Sequence, residues 1–101
     1  VLHGASSVIP RLVEMCNANG GNIPGAKGCP NEMLKQAGEN GVSKINVDTD
    51  LRLAMTAQVR RVFNEDPSIF DPRKYLGAAR AEIKETVSDK INNVFCSANK
   101  A

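Results

Sequence analysis

Two short polar clusters in this chain hold the residue types that chemistry needs. The first, His3-Gly4-Ala5-Ser6-Ser7, follows the apolar pair Val1-Leu2. His3 is the single histidine of the chain, and either of its ring nitrogens can ligate a metal ion; an isolated histidine more often has no chemical role. Gly4 has no side chain, so neighbouring backbone N–H groups can approach an anion, and the Ser6 and Ser7 hydroxyls add donors. The same serine pair could equally well cap a helix. The second cluster is Asn46-Val47-Asp48-Thr49-Asp50. The Asn46 amide donates and accepts at once, which suits a carbonyl with an adjacent hydroxyl. A helix starting after Asp50 would turn its positive end toward the cluster and favour phosphate. Asp48 and Asp50 also hint at calcium, but a twelve-residue calcium loop needs glycine at its sixth position and glutamate at its twelfth. Leu53 and Val59 stand there instead.

The segments around these clusters have to position them. Val1-Leu2 suits the end of a buried strand. Pro10 fits the first position of a helix, where its missing N–H leaves nothing unpaired; Leu12, Val13 and Cys16 give that helix an apolar side and Gly20-Gly21 ends it. Residues 20–28 are glycine-rich and read as a loop. Pro30 starts a second helix in the same way, with Met33, Leu34 and Ala37 inward and Gly41 as its stop. Residues 42–47 alternate and carry β-branched side chains, which predicts a short strand. Asp48-Thr49-Asp50 breaks it and offers capping side chains to a helix over 51–64. Leu51, Met55, Val59 and Val62 make one face of that helix; Arg52, Arg60 and Arg61 lie mostly off it, Arg60-Arg61 as a solvated pair. Asp66-Pro67 marks a break. Asp71-Pro72 starts a long helix to about residue 95, striped by Leu76, Ala79, Ile83, Val87, Ile91 and Val94. The tail from Ser97 is small and polar.

The predicted order is therefore strand, helix, helix, strand, helix, long helix. Strands joined through helices favour a parallel α/β arrangement, and both polar clusters then fall at the carboxyl ends of strands, the edge where such folds bind ligands. Two strands do not make a closed sheet. Either their partners lie outside this chain or the chain is a small α+β unit; the first is preferred.

Composition narrows the function classes. The 101 residues suffice for one domain, and no internal boundary divides residues 1–101. A net charge of +2 is too small to argue for a nucleic-acid partner. Phe63, Phe70, Tyr75 and Phe95 read as core or interface residues rather than as a base-stacking surface. No apolar run approaches a membrane span. Cys16, Cys29 and Cys96 are odd in number and scattered, which predicts reduced thiols in a cytoplasmic protein and excludes a local zinc knuckle. The start, without methionine and in mid-strand, predicts a carboxyl-terminal portion of something larger.

Three blocks in order, LHGASS, KINVDTDLRLAMTAQVRRVF and FDPRKYLGAAR, resemble the C-terminal part of the class II, zinc-dependent fructose-1,6-bisphosphate aldolases over essentially the whole chain. The resemblance implies the C-terminal part of a (β/α)8 TIM barrel: its last two strand–helix units plus the terminal helices. It implies that His3 is a zinc ligand at the end of the seventh strand, and that Gly4, Ala5 and Ser6 bind one substrate phosphate near a monovalent cation, K+ or Na+. Asn46 would be the catalytic residue holding the dihydroxyacetone-phosphate oxygens, with Asp48 and Thr49 also at the substrate. Arg52 and Arg73 would meet the second phosphate, Arg73 from the neighbouring subunit of a homodimer or a dimer-based assembly. Zinc would act as Lewis acid in aldol cleavage of the sugar bisphosphate, a step of glycolysis. The other zinc ligands and the acid/base aspartate would lie upstream, so these residues alone are expected to be inactive. Tagatose-1,6-bisphosphate is the alternative substrate, and a stand-alone phosphate-binding module without catalysis is the alternative from another class.

Overall fold

Prolines and glycines fix where helices can begin and end. The computed structural model, which describes residues 6–25 and 28–100, has four helices among them, three of which start at or next to a proline. α1 (Pro10–Ala18) carries its proline in the first turn. Beyond its end, Gly20 takes φ +91°, the left-handed region that a side chain resists. The Gly21 N–H then donates to the Cys16 carbonyl at 2.9 Å, closing a Schellman turn. A Cβ on Gly21 would stand 2.7 Å from that carbonyl oxygen, so only glycine fits. α2 (Asn31–Glu39) has Pro30 as its N-cap, one position earlier than expected, and closes through Gly41 and a 3.0 Å bond from Val42 N–H to the Ala37 carbonyl. α3 (Thr49–Glu65) and α4 (Pro72–Asn93) end close to their predicted limits.

α3 lies against both α1 and α4, and α2 packs on α4. Leu12, Cys16, Ala54 and Ala57 form the core, with Ile9, Met15, Ile23, Leu53 and Ile83 around it. Burying Leu12 completely contributes about 2 kcal/mol, and the small side chains of Ala54 and Ala57 let the neighbouring helices approach α3 closely. The apolar face expected from spacing on α3 is not the face that these helices bury. Asp50, Ala54, Ala57 and Gln58 are its buried residues, whereas Leu51, Val59 and Val62 are half-buried and Met55 is exposed. At about 100° per residue the two faces lie roughly 120° apart. α3 thus has a face that the helices cover completely and a large-residue face that they cover only in part. The stripe of α4 is corrected in part: Ala79, Ile83 and Val94 do turn inward, but Thr86 and Lys90 are buried beside them while Leu76, Val87 and Ile91 are exposed. In α2, Leu34 is buried and Met33 is not.

The strand expected over 42–47 is also corrected: no strand is present among the described residues. A strand exists only where a neighbour accepts and donates its backbone hydrogen bonds, and no described segment pairs with this one. Val42, Ile45 and Val47 are half-buried while Ser43, Lys44 and Asn46 are exposed. The other expected strand, at Val1-Leu2, lies outside the described residues. The α/β class therefore rests on what would pair with these segments. The molecule is only 16 Å through its shortest dimension, little more than one helix with its side chains. It exposes 6838 Å², against about 5,500 Å² for a compact monomer of this size.

Polar groups also bind the helices together. Arg11 of α1 pairs with Glu82 of α4, which accepts from Gln58 Nε2 of α3 at 3.0 Å; Gln58 Oε1 accepts from Arg61 Nε at 2.8 Å. Burial opposes the Glu82 charge, but the donors Arg11 and Gln58 outweigh it and hold the carboxyl below its ordinary value of 4.5. A depressed carboxylate stabilises the fold above its unfolded-state value and loses that contribution as pH falls through the folded-state value. The gap in melting temperature between the parent protein and Glu82→Gln is therefore expected to be full at pH 6 and to close as pH falls below about 4. Thermal melts across that range test it.

Candidate functional site

The chain entering α1 is held from three directions. Cys29 N–H donates to the Ser6 carbonyl at 2.9 Å. Gly28 lies so close to this segment that a Cβ would be 2.4 Å from Val8 N. From α3, the wholly buried Asp50 accepts from Ile9 N–H at 2.8 Å through Oδ1 and from Ser7 Oγ at 2.5 Å through Oδ2. Lys90, near the end of α4 and 2% exposed, completes the cluster. Its Nζ is 2.8 Å from Asp50 Oδ2 and donates to Asn31 Oδ1 at 2.5 Å and Ser7 Oγ at 3.2 Å. Asn31 Nδ2 in turn donates to Asp89. A buried charge pair is tolerated only when its remaining hydrogen-bonding capacity is used, and here both partners are used almost fully.

This arrangement sets the residues 6–9 segment beside the amino-terminal end of α3. Ser6 is exposed. Asn46 is exposed just before α3; Asp48 is its N-cap residue, and its side chain makes no capping bond. Asp48 pairs instead with Arg52 at 3.0 Å, both side chains largely in solvent. Thr49 and Arg52 line a shallow depression of about 240 Å³ with Ile23, Leu53 and Thr56. Ser6 and Asn46, Asp48 and Thr49 are thus close in sequence to the contact between residues 6–9 and the start of α3, whereas Asp48 and Arg52 lie on the other side of that helix from Asp50. His3, Gly4 and Ala5 lie outside the described residues. A larger cleft of about 430 Å³, between residues 7–11 and α4, contains none of the predicted site residues.

Arg73 is placed elsewhere. It lies in the first turn of α4, next to the far end of α3, where the Phe63 and Tyr75 rings are 4.8 Å apart. The 17 residues of α3 span about 25 Å, so Arg73 cannot join Asn46 and Arg52 within one chain. It folds back onto Asp71, Nε donating to both carboxylate oxygens at 3.1 Å and Nη2 to Oδ2 at 2.8 Å. The Arg73 hydrogen bonds hold the Asp71 carboxyl below its ordinary value and raise the guanidinium. The Arg73 side chain is 91% exposed, and an ion pair so open to water is easily exchanged for another anion.

Among the described residues no three groups of histidine, cysteine, aspartate or glutamate converge to hold a metal ion. Asp50, the one buried carboxylate, is already paired with Lys90. The described residues do not by themselves make a metal centre, and His3, the one imidazole of the chain, lies outside them.

The sequence profile described as Fructose-bisphosphate aldolase class-II matches residues 1–100. The chain belongs to this family. It is 48% identical to the fructose-bisphosphate aldolase of Treponema pallidum (strain Nichols), aligning over all of this chain and 30% of that protein. It is 50% identical to that of Thermus caldophilus, over all of this chain and 33% of that protein. The Giardia intestinalis fructose-bisphosphate aldolase is 48% identical over all of this chain and 31% of its own length. The chain thus spans about a third of the curated aldolases it matches.

Within this aldolase chain, sequence reasoning missed the buried cluster of Ser7, Asn31, Asp50 and Lys90. One signal was available. Lys90 follows Ala79, Ile83 and Thr86 at helical spacing and precedes Val94, so it interrupts the inward arc of α4 with a charge. A lysine there needs an acidic partner on a packed neighbour.

Proposed function

We propose that the full-length protein is an aldolase that reversibly cleaves fructose 1,6-bisphosphate to dihydroxyacetone phosphate and glyceraldehyde 3-phosphate, and that this chain is the carboxyl-terminal part of its (β/α)8 barrel. The observation that carries the proposal is the family match along residues 1–100. On this reading residues 42–47 are the last barrel stave, which pairs with the stave ending at Val1-Leu2 on one side and with the first stave, outside this chain, on the other. The thin helical layer and the partly covered large-residue face of α3 support it, since helices ring the strands in such a barrel. They weigh against a stand-alone phosphate-binding module.

Each residue then has a task suited to its type. Asn46 holds the ketose oxygens by donating to one and accepting from another. Thr49 and the first N–H groups of α3 face a phosphate, as does the backbone around Gly4, Ala5 and Ser6, with a K+ or Na+ ion nearby. Asp48 orients substrate hydroxyls. Arg52 meets the second phosphate by releasing Asp48, which costs little at so exposed a pair. Arg73 performs the same role for a second subunit in a homodimer, which agrees with its distance from the cluster in its own chain. His3 supplies one donor to zinc, and the remaining donors come from outside this chain. Zinc, when bound, supplies Lewis-acid polarisation of the ketose carbonyl. The absence of any helix long and apolar enough to cross a membrane among the described residues is compatible with the cytoplasmic setting of a sugar-phosphate enzyme.

The test is a cleavage assay of the purified full-length protein on fructose 1,6-bisphosphate and tagatose 1,6-bisphosphate, with and without chelator. Chelator-sensitive cleavage favouring the fructose sugar is expected; preference for tagatose moves the protein to the sister activity, and no cleavage of either ends the proposal. Arg73→Ala is expected to lower kcat/KM about 30-fold, the equivalent of ~2 kcal/mol for a lost charge-assisted contact, with metal content unchanged. An unchanged kcat/KM would remove Arg73 from the site.

A further inference from the structure

The buried cluster joins four separate stretches of chain. Ser7 belongs to the segment entering α1, Asn31 to the start of α2, Asp50 to the start of α3 and Lys90 to the end of α4. The closest contacts run between residues far apart in sequence: Lys90 Nζ reaches Asp50 Oδ2 at 2.8 Å, Asn31 Oδ1 at 2.5 Å and Ser7 Oγ at 3.2 Å. Lys90 is the only member that touches all three others. The two stretches it ties together, residues 6–9 and the start of α3, are the ones that carry or adjoin in sequence Ser6 on one side and Asn46, Asp48 and Thr49 on the other.

An apolar side chain at position 90 would serve packing as well, because a buried pair rarely adds net stability over well-packed hydrophobic residues. What the pair adds is geometry. An ammonium meeting three oxygens admits few arrangements of the backbone segments that carry them, whereas apolar contact is non-directional. Asp50 extends the constraint to the main chain by accepting from Ile9 N–H at 2.8 Å. Asp89 steadies the far side, accepting from Asn31 Nδ2 at 2.9 Å and from Asn93 Nδ2 at 2.6 Å.

We propose that Lys90 is a positioning residue: through Asp50, Ser7 and Asn31 it sets residues 6–9 against the amino-terminal end of α3, so that the phosphate-binding and carbonyl-binding groups on the two sides keep a fixed separation. Lys90 itself touches no substrate. A misplacement of about 1 Å between two binding elements is enough to lose much of their joint effect. The effect on substrate rests on the aldolase reading above; the effect on the backbone does not.

The experiment compares full-length parent protein with Lys90→Met, Lys90→Arg and the double variant Asp50→Asn/Lys90→Met. The double variant removes the buried charge that a lone Lys90→Met leaves unpaired, so it separates geometry from stability. Three quantities are read: melting temperature, hydrogen exchange by peptide, and KM and kcat on fructose 1,6-bisphosphate. The double variant is expected to melt near the parent while peptides covering residues 6–9 and 46–50 exchange about tenfold faster and the interior of α3 is unchanged. Its KM rises about tenfold with kcat within threefold, and Lys90→Arg recovers most of that loss. Exchange that is unchanged, or faster uniformly along all helices, overturns the proposal, as does a KM that returns to the parent value whenever the melting temperature does. If Lys90→Met does not fold, the double variant decides alone. A parent protein that cleaves no sugar bisphosphate ends the aldolase reading, and the exchange pattern still decides the role of Lys90.

Discussion

Asp50→Ala is expected to destabilise the full-length protein by about 3–5 kcal/mol, the usual result of removing one partner from a buried charge pair. The alanine leaves Lys90 Nζ without its countercharge at a position 2% exposed, and it also takes the acceptor from Ile9 N–H and Ser7 Oγ. Each buried donor left unpaired adds a desolvation cost of its own. For a protein of a few hundred residues the fall in melting temperature is roughly 10 °C, readable by calorimetry or circular dichroism. The contrast with Asp48, two residues earlier, is informative. Its pair with Arg52 is 3.0 Å long but both side chains are more than two-thirds exposed, so Asp48→Ala should change stability by less than about 1 kcal/mol. Equal effects at the two positions would mean that the buried cluster opens to water in the intact protein.

The difference between these two aspartates also marks the boundary of what the sequence discloses. Helix limits were legible because proline and glycine act on their own backbone: Pro10, Gly20, Gly41 and Pro72 set starts and stops without help from distant residues. The candidate cluster at 46–52 could be named for a similar reason, since its donors and acceptors are nearly consecutive and stand at the start of a predictable helix. Which face of a helix is buried is a different kind of fact. α3 presents Asp50, Ala54 and Ala57 on one side and Leu51, Met55, Val59 and Val62 on another, and hydrophobicity alone favours the second. The helices present here cover the first, because alanines permit closer packing and Asp50 finds Lys90 there. Asp50 read locally as a capping residue, yet its side chain reaches Ser7 and Ile9, more than forty positions away. The segment over 42–47 has strand chemistry and no pairing partner among the described residues, so the sequence names a tendency that only a neighbouring strand can realise.

His3→Ala in the full-length protein is expected to have the largest effect on activity. The argument runs from the donor inventory. Among the described residues no metal-binding cluster exists, and His3 is the one imidazole in the chain. On the aldolase reading His3 is the ligand that these 101 residues bring to the metal, and alanine supplies no substitute donor. Lewis-acid polarisation of a carbonyl is worth several kcal/mol, so its loss corresponds to a fall in kcat of about a thousandfold or more. That exceeds the roughly 30-fold loss in kcat/KM expected for Arg73→Ala, which weakens phosphate binding and leaves the metal in place. Bound zinc per subunit, measured by elemental analysis after gel filtration, should fall in His3→Ala and stay at the parent level in Arg73→Ala. Melting temperatures recorded in chelator are expected to coincide for parent and His3→Ala, the result for a side chain that acts on the fold through a bound ion. Full zinc with full turnover in His3→Ala would remove it from the metal site and leave the chain's part in the reaction to Asn46 and the phosphate contacts.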